Sequence, residues 1–189
     1  MSTLVNRCSW ALKDDVMMKY HDLEWGKPVR NDLELFSKLM QDCFQAGLSW
    51  SIILNKRDNF LKAFDHFNPY IVKDYDQDKI AELLLNEGIV RNKLKINAIV
   101  HNALCFVKHF SQEGSFSHFI WKYSNNQTID HKLESLQDMK TTSMISDQMS
   151  KDLKKLGFKF VGSTVIYAFL QAVGVYNDHL VTCFCHKKY

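Results

Sequence analysis

The sequence predicts an all-α protein, and three observations support that prediction. Only 7 of the 189 residues are Gly and 2 are Pro, too few for the many tight turns of a β-sandwich or barrel. Apolar residues recur three and four positions apart along most of the chain, which is the period of an amphipathic helix. No alternating run is long enough to predict a strand. The length and the 46% hydrophobic content fit a single domain over residues 1–189.

The first helix predicted from this period follows a capping signal. Asn31 or Asp32 is suited to cap a helix that ends near Phe44. Gly47 fits the turn after it, and Ser49 is suited to cap the next helix. Two helices joined by a tight turn are therefore expected here.

The remaining elements are predicted in the same way. Asp76 opens a short helix, and a longer amphipathic helix covers 91–110. The polar, weakly periodic stretch 125–146 is expected to form a loop region. A last helix pair is predicted at about 147–156 and 162–173.

The composition limits the classes of protein that this chain can belong to. The longest apolar stretch, Phe158–Tyr176, includes polar residues and falls short of the roughly 20 apolar residues of a membrane span. No signal-peptide pattern is visible, so we expect a cytoplasmic protein without membrane contact. An odd count of 5 Cys argues against a disulfide framework, and Cys43 and Cys105 fall in apolar helical patterns typical of a core. A net charge of +3 permits a polyanionic partner without requiring one.

Cysteine and histidine residues at the two ends of the chain have the chemistry of a zinc site. His179 and Cys183 are four residues apart, with Cys185 nearby, and Cys8 and His21 can complete a tetrahedral Cys₂His₂ set. In the alternative interpretation, Cys8 is a small buried apolar residue and His21 a hydrogen-bonded surface histidine. Spacing alone does not decide between them.

Two further groups suggest ligand binding. Aromatic residues, whose faces can enclose a planar or cationic ring, lie in the first quarter of the chain beside carboxylates: Trp10, Tyr20, Trp25 and Trp50 with Asp22, Glu24 and Asp42. Lysines that suit a phosphate backbone surround the predicted turn Gly157–Gly162: Lys151, Lys154, Lys155 and Lys159. Ordinary packing and a plain helical hairpin with solvated lysines are the alternatives.

Taken together, these residues resemble the bacterial DNA-3-methyladenine glycosylase I family of the helix-hairpin-helix superfamily. The matching blocks keep the family's order from about residue 6 to 185: Arg7-Cys8-Ser9-Trp10, Tyr20-His21-Asp22-Leu23-Glu24-Trp25-Gly26, Gln45-Ala46-Gly47-Leu48-Ser49-Trp50, Gly88-Ile89-Val90-Arg91-Asn92-Lys93, Gly157-Phe158-Lys159-Phe160-Val161-Gly162 and Asn177-Asp178-His179.

The resemblance implies a two-lobed helical bundle with a cleft between the lobes and a helix-hairpin-helix motif at about 147–173. It implies one structural zinc per chain that joins the termini, with the ligands Cys8, His21, His179 and Cys183. It also implies a base pocket of Trp10, Tyr20, Trp25 and Trp50, a duplex-probing turn at Gly47 and Leu48, and hairpin contacts to DNA at Gly157, Lys159 and Gly162. The expected partner is double-stranded DNA with alkylated bases, bound by a monomer in the bacterial nucleoid.

The chain departs from the family pattern at two positions. Asp42, the candidate catalytic carboxylate, replaces a glutamate that contacts the methylated base, so the charge is kept but the reach is shorter. Met17 replaces an aromatic pocket residue of some members, and its thioether can partly fill that role. Asp178 lies near the place of the superfamily's catalytic aspartate, and its role is left open.

The implied activity is hydrolysis that releases free 3-methyladenine and leaves an abasic site. Ser163 and Thr164 stand where lyase relatives carry a Schiff-base lysine, which favours simple hydrolysis. Two rivals remain: a noncatalytic, zinc-stabilised DNA-binding protein, and a glycosylase with another alkylpurine preference. A small-molecule zinc hydrolase is disfavoured, because a fully ligated zinc has no open position for water.

Overall fold

The computed structural model describes residues 5–188, and this part of the chain is largely helical. Its nine α-helices are α1 (Asp15–Leu23), α2 (Asp32–Gln45), α3 (Trp50–Ala63), α4 (Pro69–Val72), α5 (Gln77–Leu85), α6 (Lys93–His109), α7 (Ser115–Trp121), α8 (Met144–Lys155) and α9 (Ser163–Ala172). Short 3₁₀ turns cover Ser9–Lys13, Asp65–Phe67, Lys122–Ser124 and Leu136–Asp138. The one strand pair found in residues 5–188 is parallel and joins β1 (Ile129–Asp130) to β2 (Tyr176–Asn177). The all-α prediction is confirmed.

The capping signals in the sequence mark real helix starts. The Asn31 side chain accepts a hydrogen bond from the backbone of Glu34 at the start of α2. Asp76 accepts one from the backbone of Lys79 at the start of α5. Ser49 precedes α3 as predicted, but its side chain makes no capping hydrogen bond. Short polar side chains thus set the start of most of the predicted helices.

Several segments differ from the sequence-based prediction. The sequence predicts neither the helices α1, α4 and α7 nor the short strands β1 and β2. The buried positions of α1 include His21, and α7 is buried almost all round, so neither has a clean apolar face. The stretch predicted as a loop ends at Ser143, because Ser143 and Ser146 form a capping box that starts α8. No helix within residues 5–188 combines the length and apolar character of a membrane span.

The interior consists of one large core and two smaller clusters beside it. Phenylalanine rings from α2, α3 and α6 make tilted contacts in the large core, and buried phenylalanine on α9 belongs to the same core. A second cluster contains Met17, Tyr20 and Trp25, and a third contains Cys8 and Cys183. Trp10 packs against both small clusters, so the two ends of the chain meet directly beside the second cluster.

The loop after α1 is fastened to the end of α9. The backbone N–H of Gly26 donates to the carbonyl of Gln171 at 3.1 Å, and that of Val29 donates to the carbonyl of Val173 at 3.1 Å. Gly174 has φ +74°, and a Cβ there would lie 2.5 Å from the backbone nitrogen of Pro28. Only glycine permits this approach, which holds the second cluster against α9.

Candidate active site and metal centre

A cavity of about 450 Å³ opens between the N-terminal helices and α9. All four aromatic residues singled out in the sequence line it, together with the two positions that depart from the family pattern: Trp10, Tyr20, Trp25, Trp50, Met17 and Asp42. The Trp10 and Trp25 rings meet edge to face with centroids 4.9 Å apart, and the Tyr20 and Trp50 centroids are 5.4 Å apart. These ring contacts fix the walls of the cavity.

Asp42 supplies the carboxylate of this cavity. It lies on α2 with 3% of its surface exposed, and its Oδ2 has no hydrogen-bond partner within residues 5–188. Burial raises the pKa of Asp42 to about 8, while the charge of Lys38 acts in the opposite direction. The indole Nε1 of Trp50 is likewise buried without a partner in that part of the chain. Buried polar atoms without partners are costly, and a polar ligand in the cavity can satisfy them.

The other two acidic residues of the predicted cluster point elsewhere. Asp22 accepts hydrogen bonds from Arg7 at 2.8–3.0 Å and from His21 Nδ1 at 2.8 Å. Glu24 accepts from Arg57 Nη1 at 2.7 and 3.0 Å. Neither residue lines the cavity.

Five lining residues were given no role from the sequence: Gln45, Leu136, Met139, Ala168 and Gln171. Leu136 and Met139 come from the irregular segment between α7 and α8, where no periodic pattern signals their place. Gln171 did carry a signal, because it is a polar residue inside the longest apolar stretch of the chain.

The four predicted zinc ligands converge on one point. Cys8, His21, His179 and Cys183 are all buried, and one ligand atom from each lies within 4.8 Å of the others. His179 Nδ1 is 3.9 Å from Cys8 Sγ and 3.7 Å from Cys183 Sγ, and His21 Nε2 is 3.4 Å from Cys183 Sγ. A tetrahedron with metal–sulfur bonds of about 2.3 Å and metal–nitrogen bonds of about 2.0 Å has S···N edges of about 3.5 Å. The donor set therefore fits a tetrahedral metal ion.

The second nitrogen of each histidine is held by a neighbour. His21 Nδ1 lies 2.8 Å from Asp22 Oδ1, and His179 Nε2 lies 3.1 Å from the carbonyl oxygen of Trp25. Burial lowers the pKa of His21, and lowers that of His179 to about 4, so both imidazoles stay neutral as metal ligation requires. Burial raises the pKa of the Cys8 thiol to about 12, which is the cost of a thiolate here without a cation.

The turn between α2 and α3 presents Gly47 and Leu48 near the cavity. Gly47 has φ +78°, and Leu48 is half-buried. The buried ammonium of Lys95 donates to the carbonyls of Phe44 and Ala46 at 2.7 and 2.5 Å. This bond pair closes the C-terminal end of α2 and fixes the turn.

The hairpin between α8 and α9 is held from behind by a buried asparagine. Asn102 on α6 accepts from the backbone N–H of Lys159 at 2.8 Å and donates to its carbonyl at 3.0 Å. The four lysines predicted around this turn are all exposed. Gly162 precedes α9, where the first helical N–H groups have no partner within the helix. The hairpin thus combines exposed positive side chains with the start of a helix.

A helical frame with a base-sized aromatic pocket, one buried carboxylate and a basic hairpin is the arrangement of a helical DNA glycosylase. The chain belongs to the methyladenine glycosylase family, whose model matches residues 10–186.

Named relatives agree with this assignment. The chain is 38% identical to DNA-3-methyladenine glycosylase 1 of Escherichia coli (strain K12) over 182 residues, which cover 96% of this chain and 97% of that protein. A crystal structure of 3-methyladenine DNA glycosylase I matches with a TM-score of 0.93 and 39% identity, covering 96% of this chain and 100% of that one. A structure on the basis of 3-methyladenine recognition by the Staphylococcus aureus glycosylase I matches with a TM-score of 0.93 and 37% identity, covering 99% and 100%.

Proposed function

We propose that this chain is a DNA-3-methyladenine glycosylase. It hydrolyses the N-glycosidic bond of 3-methyladenine in alkylated DNA, releases the free base and leaves an abasic site. The observation that carries this proposal is the buried Oδ2 of Asp42 in the wall of a base-sized aromatic cavity, where no residue from 5 to 188 donates to it. Related proteins bear the same activity in their names.

The pocket suits the chemistry of this lesion. An N3-methylated adenine in DNA carries a positive charge, so it is already a good leaving group and needs little general-acid help. Aromatic faces attract such a cation, and Asp42 accepts hydrogen bonds from its polar edge. A water molecule that reaches the sugar carbon completes the hydrolysis.

The lesion reaches this pocket only when its nucleotide is extruded from the duplex. We propose that the turn at Gly47 and Leu48 probes the duplex during extrusion, a role that suits a half-buried leucine on a tight turn. We propose that Gly157, Lys159 and Gly162 in the hairpin bind the phosphate backbone. Positioning therefore comes from DNA contacts, and selectivity comes from the pocket.

The lining of the cavity favours hydrolysis over lyase action. A lyase forms a Schiff base between the sugar and an amine, and no lysine of the described chain lines the cavity. Ser163 begins α9 at the position where lyase relatives carry that lysine, and its Oγ is hydrogen-bonded to Ser146 at 2.8 Å.

We propose that the metal of the terminal site is a structural zinc, one per chain, held by the two thiolates and two imidazoles described above. Its ligands come from both ends of the chain, so when bound it supplies a cross-link between the termini. Four protein ligands leave no position for a reactive water, which keeps the metal out of the hydrolysis.

A base-release assay on methylated duplex DNA tests the proposed activity. Purified protein should release 3-methyladenine as free base, identified by chromatography against standards, and leave alkali-labile abasic sites. Protein that binds methylated duplex without releasing any base would instead be a noncatalytic DNA-binding protein. Release of another alkylpurine alone would indicate a shifted specificity.

A further inference from the structure

A second buried carboxylate, Asp178, lies directly behind the pocket wall and is fully buried. Three donors converge on it. Gln171 Nε2 donates to Oδ2 at 2.7 Å, the Tyr167 hydroxyl donates to Oδ2 at 2.9 Å, and His131 Nδ1 lies 2.6 Å from Oδ1. The mechanism above assigns no role to this group.

The carboxylate determines the orientation of the Gln171 amide. Only the NH₂ end of an amide can donate, so the contact with Asp178 fixes that end behind the wall. The carbonyl end is then left for the cavity, which Gln171 lines with 7% of its surface exposed. No residue between 5 and 188 donates a hydrogen bond to this oxygen. An amide held in one orientation is an acceptor of fixed direction.

We propose that Gln171 is a specificity-determining residue whose side-chain carbonyl accepts a hydrogen bond from the exocyclic amine of the extruded base. Asp178 is the positioning residue that keeps this carbonyl toward the pocket. The inference rests on the proposed function and extends it, because it states which chemical feature of the base is recognised. A base with an amine donor fits this acceptor, and a base without one leaves it unpaired.

The remaining contacts of Asp178 make the arrangement rigid. Tyr167 lies on α9 with Gln171, whereas His131 follows β1, so the carboxylate ties the helix to the strand pair. The Tyr176 ring lies 4.7 Å from the His131 ring and 5.2 Å from the Tyr167 ring, which encloses the group from the side of β2. Rotation of the Gln171 amide would break its bond to Asp178 and turn its donor end toward the base.

The test is a binding cycle with two free bases. One ligand is 3-methyladenine, and the other is 3-methylpurine, the same ring without the exocyclic amine. Binding is measured by quenching of tryptophan fluorescence, since three tryptophans line the cavity. Wild-type protein should bind 3-methyladenine about 5- to 10-fold more tightly than 3-methylpurine. Gln171→Met removes the acceptor and keeps the length of the side chain. It should therefore lower the affinity for 3-methyladenine about 5- to 10-fold and keep the affinity for 3-methylpurine within about 2-fold of the wild-type value.

Two further variants separate positioning from structure. Asp178→Asn should lose the preference for 3-methyladenine while it still binds 3-methylpurine, because the amide of Gln171 is no longer held in one orientation. Metal content is also measured on this variant, because Asp178 directly precedes the proposed metal ligand His179. Gln41→Met is the matched control: Gln41 is also buried on a helix, but it donates to Ser37 and does not line this cavity, so the preference should be unchanged.

The outcomes that would overturn the inference are distinct from failure of the proposed function. If Gln171→Met loses affinity for both bases equally, or for neither, Gln171 does not recognise the amine, even if the wild type releases 3-methyladenine from DNA. If Asp178→Asn loses affinity for both bases equally, the role of Asp178 is structural and not one of positioning Gln171. Wild-type protein that binds neither base and releases none refutes the proposed function, and the inference with it.

Discussion

His179 Nε2 lies 3.1 Å from the main-chain carbonyl oxygen of Trp25, so a residue of the proposed metal site holds a wall residue of the aromatic cavity. Trp10 makes a second link, because its ring packs edge-on against both His21, at 5.2 Å, and Trp25, at 4.9 Å. Gly26, which follows Trp25 in the chain, has φ +79°, and a Cβ there would lie 2.9 Å from His179 Nε2. The metal centre and the pocket therefore share a wall, and disturbance of one should reach the other.

Metal removal should accordingly alter the pocket as well as the stability. Purified protein should contain about one zinc per chain, and Cys183→Ala should lose it. The melting temperature should then fall by several °C for each kcal/mol lost from the free energy of unfolding. The same variant should shift tryptophan emission and weaken binding of free 3-methyladenine. Cys185→Ala is the control, since Cys185 is equally buried but lies outside the four-ligand set, and it should keep its metal. Metal-free protein of unchanged stability contradicts this prediction.

Salt dependence should reveal the DNA-facing role of the hairpin. Each phosphate contact releases counterions, so affinity for undamaged duplex should fall steeply with salt, and Lys159→Ala should reduce the log–log slope by about 1. A Cβ at Gly162 meets nothing within 4 Å in the described chain, so Gly162→Phe should fold normally yet bind DNA of all sequences more weakly. Unchanged binding in both variants, measured by fluorescence anisotropy, would remove the hairpin from the DNA interface.

The buried ammonium of Lys95 should be essential to the turn that carries Leu48. Lys95→Met leaves the carbonyls of Phe44 and Ala46 without their donor, at a cost of about 1–3 kcal/mol each. Thermal unfolding should detect this loss, and base release from duplex DNA should fall further than binding of free 3-methyladenine. Lys93→Met changes an exposed lysine of the same helix and should affect neither measurement. Equal behaviour of the two variants would rule out this role for Lys95.

The sequence predicts the helices that are determined by local signals, namely capping side chains and apolar periodicity. Helices α2 and α6 combine a capping side chain with a single apolar face, and both lie within a few residues of their predicted ends. Helix α1 was missed because its buried face holds a metal-site histidine and two pocket residues, Met17 and Tyr20, in place of a plain apolar stripe. Function at this helix overrides the pattern that predicts helices.

The site is predictable only where residue type alone carries the information. The aromatic side chains indicate a pocket. No local pattern shows that Glu24 pairs with Arg57 while Asp42 Oδ2 has no hydrogen-bond partner among residues 5–188. The proposed zinc ligands are separated by most of the chain, so their spacing does not identify them, whereas the family resemblance implies all four. The contact of Gln171 with Asp178 depends on how the chain after α9 turns back on that helix, and no periodic pattern encodes that turn.

The stability of the protein should depend on pH through Asp42. Its pKa of about 8 in the folded chain exceeds the ordinary value of 3.8, so between these values the folded state keeps a proton that the unfolded state releases. Stability from this group is therefore full below about pH 4 and declines as pH rises toward 8. Asp42→Asn does not titrate, so its melting temperature should exceed that of the wild type by an amount that grows over this range. Asp58→Asn, an exposed change on α3, serves as control. A constant difference across pH contradicts the prediction.

The same substitution should raise stability and lower activity. This combination distinguishes a repair enzyme from a noncatalytic DNA-binding protein. Asp42→Asn keeps the shape of the side chain, but an amide cannot ionise beside the cationic base as a carboxyl can. The variant therefore loses charge-assisted acceptance, worth about 1.5–3 kcal/mol, and release of 3-methyladenine should fall about 10- to 100-fold. Unfolding cannot explain that loss if the variant is more stable above neutral pH. Asp42→Glu introduces the longer carboxylate that the family resemblance implies at this position and should hold or raise the rate. Single-turnover base release measures both variants. A wild-type rate in Asp42→Asn would mean that the only carboxylate found in the cavity lining within residues 5–188 does not act on the base, and the aromatic cluster would then serve packing alone.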